Sequence, residues 1–153
     1  MDWKKLIASL AVCFAAAAIG SAFTTPSIAT WYASLAKPWF SPPNWIFGPV
    51  WTLLYAMMGL SLYYVLEKGF KKHSEAIYLF GAQLALNALW SVLFFGWRNP
   101  ALAMLEITVL MFVVLATTVK FYSISEKAGR LLIPYIVWIT FASILNFNVM
   151  LLN

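Results

Sequence analysis

With 8 Trp, 7 Tyr and 12 Phe among 153 residues, ring stacking and indole hydrogen bonding are the chemistry this chain is best equipped to do. Their spacing is ordered. Trp51 and Tyr55 are four apart and share one face of a helix. Gln83, Asn87 and Trp90 fall within a narrow arc of a second helix, and Tyr135, Trp138, Ala142 and Leu145 follow one face of a third. An indole offers a broad flat surface and one N–H that fixes orientation. Such a set suits a flat apolar ligand carrying few polar groups.

Other chemistries have little to stand on. Cys13 is the single cysteine, which excludes an intrachain disulfide and any multi-cysteine metal site. His73, the single histidine, lies among lysines in a polar stretch, where a solvated role is the ordinary one. No Ser–His or Cys–His pairing, metal-ligand spacing or Gly-rich phosphate loop is present. The net charge of +5 has no accompanying basic stripe or nucleic-acid motif, so no nucleic-acid partner is expected.

The elements that position the aromatics must lie in a bilayer. Charged residues are 10% of the chain, against about 25% in soluble domains, and 63% of the residues are hydrophobic. A spanning helix needs about 20 mostly apolar residues. Five stretches qualify: 5–23, 45–66, 78–97, 101–121 and 131–152, which predicts a single all-α, five-helix transmembrane domain. The first follows Lys4 and Lys5 like a signal peptide, but its apolar run exceeds the usual 7–15 residues, so it reads as a retained helix. With five spans, Lys4, Lys5, Lys68, Lys71, Lys72, Lys120, Lys127 and Arg130 share one side and only Lys37 and Arg98 the other. The positive-inside rule then puts the N-terminus in the cytoplasm and the C-terminus outside.

Residues 24–44 make a connection long enough to suspect function. Trp31, Tyr32 and Leu35 fit one side of a short helical turn. Two roles fit the segment, an interfacial anchor or a lid over a cavity. Beyond it, Pro42 and Pro43 hold the backbone extended, Asn44 is placed to cap a helix from Trp45, and Pro49 is expected to kink it. That entrance carries Trp45, Phe47, Trp51 and Tyr55, one wall of an aromatic slot. At about 1.5 Å per residue, Trp51 lies about 9 Å below the boundary, Tyr55, Asn87 and Ala142 about 15 Å, and Trp138 about 20 Å.

Gly81, Ala85 and Ala88 oppose the amide face of the third span and suit close helix packing, within the chain or with a second copy. Glu106, the one acid well inside a span, is a functional candidate by default. It lies only about 9 Å below Pro100, however, so a rim role or a pair with Arg98 is the expectation.

The stretch Leu35-Ala36-Lys37-Pro38-Trp39-Phe40-Ser41-Pro42-Pro43, continuing through Phe47-Gly48-Pro49-Val50-Trp51-Thr52-Leu53-Leu54-Tyr55, closely resembles the translocator protein family. This family comprises the tryptophan-rich sensory proteins (TspO) and the mitochondrial peripheral benzodiazepine receptors. Residues 83–91, Arg98-Asn99-Pro100, and Pro134-Tyr135-Ile136-Val137-Trp138 through Leu145-Asn146 extend the resemblance over nearly the whole chain.

The resemblance implies a five-helix membrane bundle, commonly a homodimer, that binds tetrapyrroles such as protoporphyrin IX and haem. Isoquinoline carboxamides and benzodiazepines would share the cavity. Trp51 and Trp138 would serve a light- and oxygen-dependent breakdown of protoporphyrin, with Tyr32, Pro42, Tyr55, Asn87, Trp90 and Ala142 lining the pocket. The porphyrin is then ligand or substrate, with no intrinsic cofactor and no metal site in the chain. A transporter or sensor without chemistry is the alternative. The C-terminal apolar–Tyr–basic cholesterol motif of vertebrate members is missing from Asn146-Phe147-Asn148-Val149-Met150-Leu151-Leu152-Asn153. The short tail and lack of a transit peptide imply a bacterial cell membrane protein.

Overall fold

The computed structural model describes residues 2–153. Among the described residues, five helices are long and apolar enough to cross a membrane. They are α1 (Trp3–Ile28), α3 (Asn44–Glu67), α4 (Ser74–Ser91) with a π-helical turn at Val92–Gly96, α5 (Pro100–Ile124) and α6 (Glu126–Leu152). A four-residue helix, α2 (Trp31–Ser34), and a 3-10 turn at Lys71–His73 lie in the connections. The chain is a multi-pass membrane protein.

Local chemistry sets the helix ends. Asp2 accepts the backbone N–H groups of Lys4 and Lys5, at 3.1 and 3.3 Å, and so caps α1. Asn99 caps α5 by accepting from Leu102 N at 2.9 Å, with Pro100 in the first turn where its missing N–H costs nothing. Two expectations fail. Helix α1 does not stop at residue 23: it runs on through Pro26 to Ile28, so the connection shortens to 29–43. Pro26 has no N–H to donate to the Ala22 carbonyl, so the end of α1 gives up one backbone bond without breaking the helix. Asn44 is not a cap but the first helical residue of α3, and no side chain caps that end. Pro43, held extended at ψ 143°, supplies the cap position, and its carbonyl accepts from Ile46 N at 3.0 Å. Helix α3 continues unbroken across Pro49.

The five long helices close into a ring in the order α1, α3, α6, α5, α4, each packing chiefly on its two ring neighbours. One end of the ring, holding Asp2, Lys68, Lys127 and most of the basic residues, is solid. There Phe80 stacks on Phe121 with ring centroids 5.3 Å apart, and Met58, Val65 and Leu132 are fully buried. At the other end, beneath the 29–43 connection, the ring is hollow. Leu105, Phe112 and Val119 repeat every seven residues on the outside of α5 and are each about 70% exposed, as a lipid-facing stripe should be.

At the tight α5–α6 hairpin, a Cβ built on Gly129 would lie 2.6 Å from the Cα of Tyr122, an approach only glycine allows. Gly129→Ala should therefore cost about 1–3 kcal/mol through forced separation of the helices. Thermal unfolding in detergent measures this. Gly48→Ala, where an added Cβ meets nothing within 4 Å, should leave the melting temperature unchanged or slightly raised.

Candidate ligand-binding cavity

The hollow end holds a cavity of about 590 Å³, within the usual range for small-molecule sites of about 300–1,000 Å³. Helices α1, α3, α4 and α6 line it together with Tyr32 of α2, and α5 contributes nothing. Of the residues singled out in the sequence, Tyr32, Trp51, Tyr55, Asn87, Trp90, Trp138 and Ala142 all line this one space. Pro42 does not: it sits in the extended segment before α3, outside the lining.

The cavity floor is a hydrogen-bonded crosspiece of three helices. Asn87 of α4 accepts from the Tyr55 hydroxyl of α3 through Oδ1, and donates through Nδ2 to the Tyr135 hydroxyl of α6 at 2.8 Å. Both faces of the amide are thereby occupied by the protein. Trp90 is held similarly, its Nε1 donating to Asn146 Oδ1 at 3.0 Å, while Asn146 Nδ2 donates to the Pro100 carbonyl at 2.8 Å. Gln83 is buried below the floor, and its amide nitrogen meets only the sulfur of Met58 at 3.8 Å.

Trp51 and Trp138 touch across the α3–α6 seam, ring centroids 6.4 Å apart and nearly perpendicular at 89°. Tyr55 and Tyr135 pack against Trp51, and Phe47 and Phe141 against Trp138. The two indoles therefore form one right-angled corner of the cavity. The Nε1 of Trp138 is buried with no hydrogen-bond partner among the described residues. That N–H is sealed in the side-chain packing and not presented to the cavity, so leaving it unpaired is a cost to the fold.

The roof comes from α2 and the π-helical turn. Across Val92–Gly96 the backbone takes one extra residue, closed by Trp97 N to the Val92 carbonyl at 2.7 Å. Phe94 and Phe95, successive in sequence, are consequently both buried, and both pack on Trp31 and Tyr32. Phe94 also stacks on Trp90 at 5.0 Å. Ser27 Oγ donates to the Phe95 carbonyl at 3.0 Å and ties α1 to this turn. Lys37 Nζ donates to the Tyr32 and Leu35 carbonyls and lies 4.8 Å over the Tyr32 ring. Burial raises the Tyr32 phenol above its ordinary value, so it stays protonated at neutral pH. Trp39, by contrast, is almost fully exposed at 96%, as a headgroup-level anchor would be.

Sequence reasoning missed the π-helical turn, and it missed the α1 wall of Phe14, Ala17, Ala18, Gly20 and Ser21. The adjacent Phe94-Phe95-Gly96 was the available signal for the first, since a regular helix would not bury two successive aromatics alike. Two further expectations are corrected. Glu106 is buried but makes no ion pair with Arg98, and neither of its oxygens has a partner among the described residues. Arg98 adopts φ 54° in the tight turn. Of the small-residue face, Gly81 and Ala85 look outward, whereas Ala88 is buried inside the chain's own bundle.

Comparison with known proteins gives one consistent answer. The sequence model of the TspO/MBR family matches residues 9–152. The tryptophan-rich protein TspO of Archaeoglobus fulgidus is 49% identical over 153 residues, covering 100% of this chain and 99% of that protein. The tryptophan-rich sensory protein of Cereibacter sphaeroides is 38% identical, covering 100% and 94%. The human translocator protein is 40% identical over 134 residues, covering 86% and 79%.

If the Tyr55–Asn87–Tyr135 crosspiece holds the floor, its parts must act together. In a double-mutant cycle of Tyr55→Phe with Asn87→Ala, unfolding free energies in detergent should show a coupling of about 0.5–2 kcal/mol. Additive losses would mean that the amide and phenol do not stabilise one another.

Proposed function

The chain belongs to the TspO/MBR family, and from that premise we propose that its cavity binds a planar tetrapyrrole, protoporphyrin IX or haem. Small aromatic ligands of the isoquinoline carboxamide and benzodiazepine type fit the same space. The observation that carries this reading is the aromatic corner of Trp51 and Trp138, two indoles set at right angles on one side of the cavity. Flat ring surfaces select a flat, largely apolar ligand.

With protoporphyrin IX bound, the bundle promotes its photo-oxidative breakdown. Light excites the porphyrin, dioxygen is the oxidant, and the electron-rich indoles of Trp51 and Trp138 relay single electrons beside the ring. The porphyrin supplies the reactivity, and the protein supplies orientation and shelter from water. No general acid or base is needed. A carrier without chemistry is disfavoured by the solid half of the ring, where Phe80 stacks on Phe121 across any through-path; a sensor without chemistry needs no such path and is separated from this reading by porphyrin decay in light. The proposed setting is the cell membrane, with the basic end and N-terminus cytoplasmic. Two copies would meet through the outward Gly81 and Ala85.

Porphyrin binding, followed by quenching of tryptophan fluorescence, and porphyrin absorbance under illumination test the two parts separately. Trp138→Phe replaces one indole of the corner with a smaller ring, so affinity should fall by about 1 kcal/mol, roughly fivefold. Porphyrin loss in light should slow in both Trp51→Phe and Trp138→Phe. Unaltered decay in both variants removes the chemistry, and unaltered affinity in Trp138→Phe removes the corner's role in binding.

A further inference from the structure

One wall of the cavity is missing, and its position says where a ligand comes from. Helices α1 and α3 are pinched together toward the basic end, where a Cβ on Gly59 would lie 3.1 Å from the Cα of Leu10. Toward the other end they part. Phe14, Ala18 and Ser21 of α1 and Trp45, Gly48 and Thr52 of α3 line the cavity and are also exposed on the outside of the bundle. Each trio repeats at three- and four-residue spacing, so the two face each other as the lips of a crevice. A Cβ on Gly48 would meet nothing within 4 Å.

Depth decides what lies outside the crevice. Phe14 is 11 residues from one end of α1 and 14 from the other, about 16 and 21 Å along the axis, which is mid-bilayer. A slit reaching that depth opens sideways into acyl chains and not into water. The nearby hydroxyls are turned back on their own helix: Thr24 donates to the Gly20 carbonyl at 2.9 Å and Thr52 to the Gly48 carbonyl at 2.9 Å, while Ser21 and Thr25 bond each other at 3.1 Å. With Thr24 and Thr52 bonded to their own helices and Ser21 paired with Thr25, the slit presents mainly methyls and rings, which lipid tolerates. The roof, meanwhile, is closed by Tyr32 packed on Phe94 and Phe95 and by Asn153, which bonds the Ala36 backbone through both its donor and its acceptor.

We infer that the ligand enters and leaves through this α1–α3 crevice, from the lipid phase, and not past the 29–43 segment from water. The inference rests on the tetrapyrrole reading above. It also gives the substrate class a further property: an apolar ligand that is already dissolved in the membrane, whose edge can remain among acyl chains while its ring system sits against Trp51 and Trp138. A cavity of about 590 Å³ with one open side need not enclose a porphyrin completely.

The test uses the full chain in phospholipid vesicles and two probes, free protoporphyrin IX and a porphyrin covalently tethered to a phospholipid acyl chain. Entry from lipid predicts that the tethered porphyrin quenches tryptophan fluorescence with an affinity within about tenfold of the free one. Gly48→Phe, which puts a ring into the slit, should slow association of both probes by about tenfold or more, while Leu105→Phe on the lipid face of α5 should change it by less than about twofold. Binding of free but not tethered porphyrin, or an unaltered association rate in Gly48→Phe, overturns the lateral route and leaves the binding reading standing. Binding of neither probe by the unsubstituted protein overturns both.

Discussion

A bilayer interior offers no water to satisfy a polar group, and the cavity floor is built around that constraint. One amide, Asn87, holds phenols from two other helices, with Tyr55 on its oxygen and Tyr135 on its nitrogen. Removing the amide would strand two hydroxyls in hydrocarbon, each a penalty of about 1–3 kcal/mol before membrane adaptation. The bond pattern therefore fixes the relative height and rotation of α3, α4 and α6. Trp51 sits one turn above Tyr55, and Trp138 one turn above Tyr135, so the same crosspiece sets the corner where the indoles meet. Trp90, bonded to Asn146, repeats the device nearer the roof.

The division of the ring into a solid and a hollow half follows from side-chain types at matching heights. Toward the basic end, Phe80, Phe121, Met58 and Leu132 fill the axis. Toward the other end the facing positions on α1 are Ala17, Ala18, Gly20 and Ser21, too small to reach across. A gap large enough for a ligand is thus made by small residues on one helix as much as by large ones on three others. Its walls are rigid because the rings that line them are locked by each other, as with Phe94 stacked on Trp90.

Much of this was legible in the sequence. Hydropathy located all five spans, and helical spacing placed Trp51 with Tyr55, and Gln83 with Asn87 and Trp90, on inward faces. Those signals are strong because the lipid tolerates no alternative for a run of apolar residues or for a lone amide. What was lost were features set by tertiary contact. Past residue 23, α1 is tied to the π-helical turn by Ser27 reaching the Phe95 carbonyl. Ala88 was grouped with Gly81 and Ala85 by angle alone, and only the neighbouring helices decide that it is covered. Asn44 is a residue type that favours caps, but the Pro42–Pro43 pair fixes the approach of the chain and releases its side chain to the cavity rim. Pro42 itself ends up outside the lining for the same reason.

The π-helical turn at 92–96 has a bearing on which chain lengths this architecture can accept. Because it spends one residue more than an α-helix would, everything from Trp97 onward is set about 100° out of phase with the inward face of α4. Losing a single residue there would restore an unbroken helix and swing the Arg98-Asn99-Pro100 corner away from Asn146, which holds the Pro100 carbonyl. The count of residues between Asn87 and Pro100 is accordingly locked. The surface segment 36–43 has no such phase to keep and can absorb insertions that the buried turn would refuse.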